Sequence, residues 1–161
     1  MKALQDSDLH QGRPDFAIKR YCGLQPVSNH GYGEAKAADQ RYNIYYICMD
    51  LYRIGIFCRN ATETQRSHRI LAIQVIGFSV HFYILLQPAP TIYTMLKIGD
   101  LSIPRSLKEL PALITRLPTM LTILDAFDEW CVDVNVAGSP TISSPTLSKE
   151  TFSRTESGRA S

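Results

Sequence analysis

Apolar residues between Asp39 and Arg59 recur at helical spacing, which is the period of a helix with one buried face. They are Ile44, Ile47, Cys48, Leu51, Ile54 and Cys58. The pattern predicts an amphipathic helix over this segment. The polar residues that follow, from Asn60 to His68, predict a loop.

Stretches rich in β-branched and aromatic residues predict strands on both sides of this helix. Before it, we predict short strands at Pro14–Lys19 and Tyr32–Ala37, with the glycine- and proline-containing segment between them as a loop. After it, Ile70–Leu86 predicts one buried strand and Ile92–Ile98 another. The prolines of Gln87–Thr91 predict the connection between those two strands.

The pattern changes again after Ile98. Ile98-Gly99-Asp100 predicts a turn, and the sequence SLKE at Ser106–Glu109 has the form of a capping box at the start of a helix. Pro111 and Pro118 then divide the following segment into short helical pieces. The longer piece, Pro118 to Val132, is expected to bury an apolar set: Leu121, Leu124, Phe127 and either Trp130 or Cys131.

Composition divides the chain into three parts. Residues 1–13 are polar, and residues 14–136 carry the apolar pattern of one α+β domain. In residues 137–161, Ser or Thr occupies eleven of twenty-five positions, with almost no aromatic residues. Such a segment cannot bury enough apolar surface to offset the entropy lost on ordering, so we predict a disordered tail.

Charge and cysteine usage narrow the class of protein. The net charge of +2 gives no overall basic field that would indicate nucleic acid. The four cysteines form no CxxC pair, which favours reduced thiols over a zinc site or a disulfide framework. The first residues contain no apolar run typical of a signal peptide. We therefore expect an intracellular protein, nuclear or cytoplasmic, that is not secreted.

No membrane partner is predicted from the most apolar stretch, Ile70–Leu86. It is 17 residues long, at the short limit for a membrane span, and it contains Gln74 and His81. From Gly77 onward its apolar and polar residues alternate, which favours a strand. We interpret Gln74 as a hydrogen-bonded core residue and His81 as a packed or edge histidine, in preference to catalytic roles.

One set of residues could form an active site. Glu34 and Lys36 are two apart on a predicted strand, so their side chains leave the same face. Asp15 lies on the preceding predicted strand, with a connection long enough to bring it beside Glu34. Two carboxylates hold a hard cation such as Mg²⁺, and a neighbouring lysine can stabilise the transition state of phosphodiester hydrolysis.

The arrangement Pro14-Asp15 followed by Glu34-Ala35-Lys36 resembles the PD-(D/E)xK nuclease superfamily. The amino-acid sequence from GYGEAKA through DLYRIGIFCRNA to FDEWC is also similar to that of a group of uncharacterised fungal proteins with that core. The resemblance covers about Pro14 to Cys131. It implies a restriction-endonuclease-like fold, a mixed sheet with flanking helices, whose first helix and first strand are missing at the N-terminus.

The resemblance implies Asp15, Glu34 and Lys36 as catalytic residues, with Asp15 and Glu34 as Mg²⁺ ligands and DNA or RNA as the substrate. Basic residues that could contact nucleic acid are Lys19, Arg20, Arg41 and Arg53. The default for these charges is solvation, and for Arg53 an ion pair with Asp50 three residues earlier.

Three functions stay open: a nuclease, an inactive nuclease-like domain for binding or assembly, and a small interaction protein. Loss of a neighbouring strand also predicts self-association through a sheet edge.

Overall fold

The computed structural model describes residues 12–65 and 69–132. These residues form an α+β fold, as the hydrophobic pattern predicts, but the mixed sheet has five strands where the pattern predicts four. The Ser/Thr-rich tail and most of the polar N-terminal segment lie outside the described residues, so the prediction of a disordered tail stays a prediction.

The strands lie side by side in chain order. They are β1 (Phe16–Cys22), β2 (Gln25–Lys36), β3 (Arg69–Ile76), β4 (Ser79–Ala89) and β5 (Ile92–Ser102). β1 and β2 form an antiparallel hairpin, and β3, β4 and β5 follow one another antiparallel. β2 and β3 are parallel neighbours, which requires a crossover between them.

A single long helix, α1 (Ile44–Gln65), makes that crossover. Its start is set by Asn43, whose side-chain oxygen accepts a hydrogen bond from the Tyr46 backbone amide at 3.3 Å. An asparagine in this position satisfies one of the free amides of the first turn. The helix packs on β2 and β3, the two parallel strands that it joins.

The C-terminal part of the described chain is helical but irregular. A 3₁₀ segment (Leu107–Arg116) leads into α2 (Leu117–Phe127), and one π-helical turn (Asp128–Val132) ends it. Pro118 stands at the first positions of α2, where a missing amide has no cost. By length and composition alone, the helical run Leu107–Val132 could cross a membrane.

The two faces of the sheet carry separate cores. On one face, Ile54, Cys58 and Ala61 of α1 pack against Ile70, Ala72 and Leu85. On the other, Leu71, Ile73 and Ile84 pack with Cys131, with Phe127 and Trp130 beside them. Successive residues of β3 alternate between these cores, so both faces of this central strand are buried.

The predicted loop before β2 is wrong, because that segment is the rest of a hairpin. β1 continues to Cys22 and β2 begins at Gln25, with Gly23 and Leu24 as the turn. The single strand predicted at Ile70–Leu86 is also wrong. Gly77, with a φ of +58°, lets the chain reverse there, and the segment forms two paired strands.

Other boundaries also differ from prediction. α1 runs six residues past Arg59, since Ala61 and Thr62 are buried and the Thr62 hydroxyl donates to the Cys58 carbonyl at 2.9 Å. β5 passes through the turn predicted at Gly99, where the ladder accommodates an irregularity instead. Ser106 does precede a helical segment, but the Glu109 carboxylate accepts from the Arg105 amide at 2.9 Å.

The inward face of α2 differs most from prediction. Leu121 and Leu124, expected in the core, are 57% and 53% exposed, and the buried residue of the helix is Ile123. Cys131 is buried as predicted.

The helix–sheet core predicts a contrast between two isoleucines of α1. Ile54 is fully buried and Ile44 is 73% exposed. Ile54→Ala should lower the free energy of unfolding by about 2–5 kcal/mol, because it removes apolar contacts and leaves a cavity. Ile44→Ala should change it by less than about 0.5 kcal/mol. Urea denaturation of both variants tests this, and equal losses would mean that α1 does not pack through Ile54.

Candidate carboxylate–lysine site

The β1–β2 register places Asp15 beside Glu34. Phe16 pairs with Gly33 and Ala17 with Tyr32, so the next position toward the start of β1 is opposite Glu34. Directly opposed residues share a face of the sheet. The Asp15 carboxylate also accepts a hydrogen bond from the Ala35 amide at 2.7 Å, which fixes it against β2. The Asp15 carboxylate is close enough to Glu34 for its negative charge to raise the pKa of the Glu34 carboxyl group.

A glycine permits this close pairing. The ring of Phe16 lies directly over Gly33, where a Cβ atom would sit 2.1 Å from the ring. Any larger residue at this position would push Phe16 away from β2. Gly33 therefore lets β1 pair closely with β2 next to Glu34. The Phe16 ring lies on the opposite face of the sheet from the carboxylates.

α1 completes the cluster with two charged residues. Lys36 Nζ lies 3.2 Å from Asp50 Oδ2, and Arg53 Nη2 lies 3.3 Å from Glu34 Oε1. The ion pair predicted between Asp50 and Arg53 is therefore replaced by two pairs that cross from helix to strand. The packing of α1 on β2 explains this difference. It brings Asp50 and Arg53 closer to oppositely charged residues of β2 than to each other.

Burial dominates the electrostatics of this cluster. Glu34 and Asp50 are 3% and 4% exposed. Burial raises the pKa of Glu34 to about 7; Arg53 opposes this rise, and Asp15 and Asp50 add to it. Burial likewise raises the pKa of Asp50, against the effect of Lys36. Three carboxyl groups share two basic partners, so the cluster has an excess of negative charge when all are ionised.

A row of polar residues continues from Glu34 across the sheet. Glu34 is opposite Gln74, Gln74 is opposite His81, and His81 is opposite Asp100. The Gln74 side chain donates to the Ile47 carbonyl at 2.7 Å, so it ties β3 to the first turn of α1 as a hydrogen-bonded core residue. His81 is half-buried, and burial lowers its pKa. Both residues agree with the structural roles predicted for them.

An open groove of about 880 Å³ leads away from Asp15 along β1 and β2. Its polar and aromatic lining consists of Arg13, Asp15, Lys19, Tyr21, Asn29 and Tyr32. Of the four basic residues predicted to contact nucleic acid, Lys19 is the one that lines this groove. The groove therefore joins one carboxylate of the cluster to a basic and aromatic surface.

The other three basic residues have different surroundings. Arg53 is engaged with Glu34 inside the cluster. Arg20 follows Lys19 on β1 and points to the opposite face. Arg41 donates to the Tyr42 hydroxyl at 2.6 Å and stacks over its ring. A continuous basic surface through all four residues is not formed in this described part of the chain.

A second polar contact lies on the opposite face of the sheet and was missed from the sequence. The β1–β2 register shifts after Ile18, and this irregularity directs His30 toward the C-terminal helical turn. His30 Nδ1 donates to the Cys131 carbonyl oxygen at 2.5 Å, and Nε2 shares a hydrogen bond with Ser28 Oγ at 2.8 Å. The contact anchors the C-terminal segment to β2.

The donor set suits a hard cation in part. Asp15 and Glu34 offer neighbouring carboxylate oxygens, and a divalent ion would offset their negative charge, which adds to the effect of burial on the pKa of Glu34. Within residues 12–65 and 69–132, no group of three or more His, Cys, Asp or Glu side chains is placed to hold a metal. A cation at this position would thus depend on two carboxylates, with water or substrate as its other ligands.

Comparisons of the chain with protein-family models, with curated proteins and with solved structures give no match.

The buried carboxyl of Glu34 predicts a pH dependence of stability. Its pKa rises on folding from 4.5 to about 7, so the native state binds the proton more tightly than the unfolded state. The stabilisation is complete below pH 4.5 and is lost as pH rises through 7, with a magnitude on the order of 3 kcal/mol. Glu34→Gln should flatten this decline in urea denaturation measured with a chelator present.

The slope should not vanish entirely in the Glu34→Gln variant, because the raised pKa of Asp50 acts in the same direction. Glu129→Gln is the control, since Glu129 is exposed on the turn after α2. It should retain the native decline. Identical pH profiles for Glu34→Gln and the native chain would contradict the burial of an ionisable Glu34.

Proposed function

We propose that the chain is a divalent-cation-dependent phosphodiesterase that acts on nucleic acid. The observation that carries this proposal is the position of Asp15 beside Glu34, close enough that the Asp15 charge raises the pKa of Glu34, with Lys36 on the same face of β2. Two neighbouring like charges are costly unless a proton or a cation lies between them. A site that keeps them together on neighbouring strands is suited to share a cation.

The order of elements around the cluster also supports the proposal. The Asp15 segment leads into β1, β1 pairs antiparallel with the strand of Glu34 and Lys36, and α1 then crosses to the parallel strand β3. This is the strand, strand, helix, strand order expected for the later part of a restriction-endonuclease-like core. The assignment to that core remains part of the proposal.

Each residue has a role in this mechanism. Asp15 and Glu34 would hold the cation, which would offset negative charge on the scissile phosphate. Lys36, on the same face of β2 as Glu34, would orient a water molecule or stabilise charge on the phosphate oxygens. Asp50 holds Lys36 in place at 3.2 Å. Arg53 pairs with Glu34 at 3.3 Å, so a cation bound there would compete with Arg53 for the same carboxylate.

The groove beside Asp15 gives the substrate a path. Lys19 and Arg13 place positive charge along it, and Tyr21, which is 57% exposed, offers a ring on which a base can stack. A strand of DNA or RNA lying in this groove would bring its phosphate to the exposed side of Asp15. The groove thereby connects binding of the polymer with the carboxylate cluster.

A second function is favoured by a separate observation. Glu34 is only 3% exposed and Arg53 occupies its carboxylate, so the cluster is closed on the α1 side. If these ion pairs persist when nucleic acid binds, the domain binds through its groove without cleaving. This is the inactive nuclease-like alternative, in which the cluster stabilises the contact between α1 and β2.

Calorimetric titration with Mg²⁺ or Mn²⁺, together with a cleavage assay on DNA and RNA, tests the proposal. The native chain should bind one cation and cleave. Asp15→Asn and Glu34→Gln should each weaken cation binding by about 10-fold or more, because each removes one of two charged ligands. Lys36→Met should bind the cation normally and lose at least about 100-fold in kcat, because it removes charge stabilisation at the phosphate.

Lys97→Met is the matched control for Lys36→Met. Lys97 also pairs with an aspartate, at 2.9 Å, but it lies on β5. Its removal should leave cation binding and cleavage unchanged. Cation binding without cleavage by the native chain would select the inactive alternative, and absence of both in a folded native chain would overturn the proposal.

A further inference from the structure

The helical segment after β5 exposes a run of large aliphatic side chains. Six are between 47% and 87% exposed, namely Leu107, Leu110, Ile114, Leu117, Leu121 and Leu124, and we call them the apolar patch. Single exposed apolar residues are ordinary on a protein surface. Six along one 18-residue segment exceed that background and indicate a surface that another molecule covers.

The apolar patch is not a misplaced part of the core. α2 already packs its inner side on the sheet, where Ile123 lies against Gly99 and Phe127 joins the cluster around Ile73. The patch residues Leu117, Leu121 and Leu124 lie on the other side of the same helix. Their spacings of four and three residues are those of one helical face, so this face is available as a unit.

Charge is distributed unevenly along the segment that carries the patch. Residues 105–116 contain Arg105, Lys108 and Arg116 with one acidic residue, Glu109. Residues 117–132 contain Asp125, Asp128 and Glu129 with no basic residue. One end is therefore positive and the other negative. A second copy of the same segment, placed antiparallel, would oppose each positive end with a negative end.

We infer that the apolar patch is the interface of a homodimer, in which two copies pack antiparallel about a two-fold axis. A two-fold interface uses the same surface on both subunits, so the patch of one copy covers the patch of the other. Lys108 of each protomer then faces the acidic end that contains Asp128 in its partner. This surface is independent of the carboxylate cluster, which lies with α1 on the opposite face of the sheet.

The acidic C-terminal half of the segment that carries the apolar patch makes a lipid surface a poorer binding partner for this patch than a second copy of the chain. Helices that lie on anionic membranes place lysine and arginine along their polar face. Here residues 118–132 contain three carboxylates, those of Asp125, Asp128 and Glu129, and no basic residue. The same carboxylates are complementary to the basic end of a second copy. Charge therefore favours self-association over membrane binding.

Sedimentation velocity of the full chain over a concentration series tests the inference. The native chain should be a dimer whose dissociation follows mass action. Leu121→Glu should raise the dimer Kd by about 100-fold, because it places a charge at the centre of the apolar interface. Leu24→Glu is the matched control: Leu24 is 95% exposed in the β1–β2 turn, and its variant should dimerise normally. Circular dichroism reports whether each variant is folded.

A charge-reversal cycle tests the antiparallel arrangement without touching the aliphatic side chains. Lys108→Glu and Asp128→Lys should each raise the dimer Kd by about tenfold, because each places like charges together at both ends of the interface. The double variant restores opposite charges and should regain the native Kd. This cycle keeps the inference falsifiable even if Leu121→Glu fails to fold.

Several outcomes would overturn the inference. One is a native chain that stays monomeric at all concentrations. Another is a dimer whose Kd does not change in the Leu121→Glu variant. Pairing of two copies through the outer edge of β1 would give this result. A failure of the double charge reversal to restore dimerisation would reject the antiparallel arrangement. Co-sedimentation of a monomeric chain with phosphatidylcholine–phosphatidylserine vesicles would assign the patch to a lipid surface instead.

Discussion

Burial of charge between α1 and β2 is the constraint on which the rest of the site depends. The crossover helix must cover the strand that carries Glu34 and Lys36, and it does so with Asp50 and Arg53 facing those two residues. An unpaired charge in this layer would be strongly destabilising, and the two ion pairs between helix and strand avoid that cost. These pairs tie α1 to β2, while the aliphatic residues beyond them supply the apolar contacts.

This arrangement leaves the site one positive charge short. Asp15 adds a third carboxyl group to Glu34 and Asp50, and the basic partners in contact with them are Lys36 and Arg53. Burial raises the pKa of Glu34 to about 7, and the neighbouring carboxyl groups of Asp15 and Asp50 add to this rise. A proton satisfies the deficit at low pH, and a divalent cation would satisfy it at neutral pH. A metal ion bound there would therefore compete with the proton for the same pair of carboxyl groups.

Part of this geometry was predictable from the sequence, because it follows from strand parity. Two residues separated by one position share a face, so Glu34 and Lys36 were expected together, and Asp15 needed only an antiparallel neighbour to join them. The ion-pair partners were not predictable in the same way. Asp50 and Arg53 are near each other along the helix, but their partners belong to β2, and the packing of helix on strand decides the choice.

The limits of prediction elsewhere have similar physical origins. Glycine and proline predicted a loop before β2, yet Gly31 and Gly33 are strand residues at which side chains of β1 approach closely. Ile70–Leu86 is apolar on both sides of Gly77 because both of its strands are buried. Hydrophobicity alone therefore did not predict the turn at Gly77 that separates them. α2 carries large aliphatic residues on more than one side, so their spacing could not distinguish the face against the sheet from the face toward solvent.

The apolar surface of α2 and the carboxylate cluster are placed so that each can act without the other. α1 and the groove beside Asp15 lie on one face of the sheet, and α2 packs on the other. His30 donates to the Cys131 carbonyl, and this contact holds the end of the α2 segment against the back of β2. A second copy covering the apolar patch would therefore leave the groove open. Because the same β2 strand supports both surfaces, association should stabilise the sheet that carries the site while leaving its chemistry unchanged.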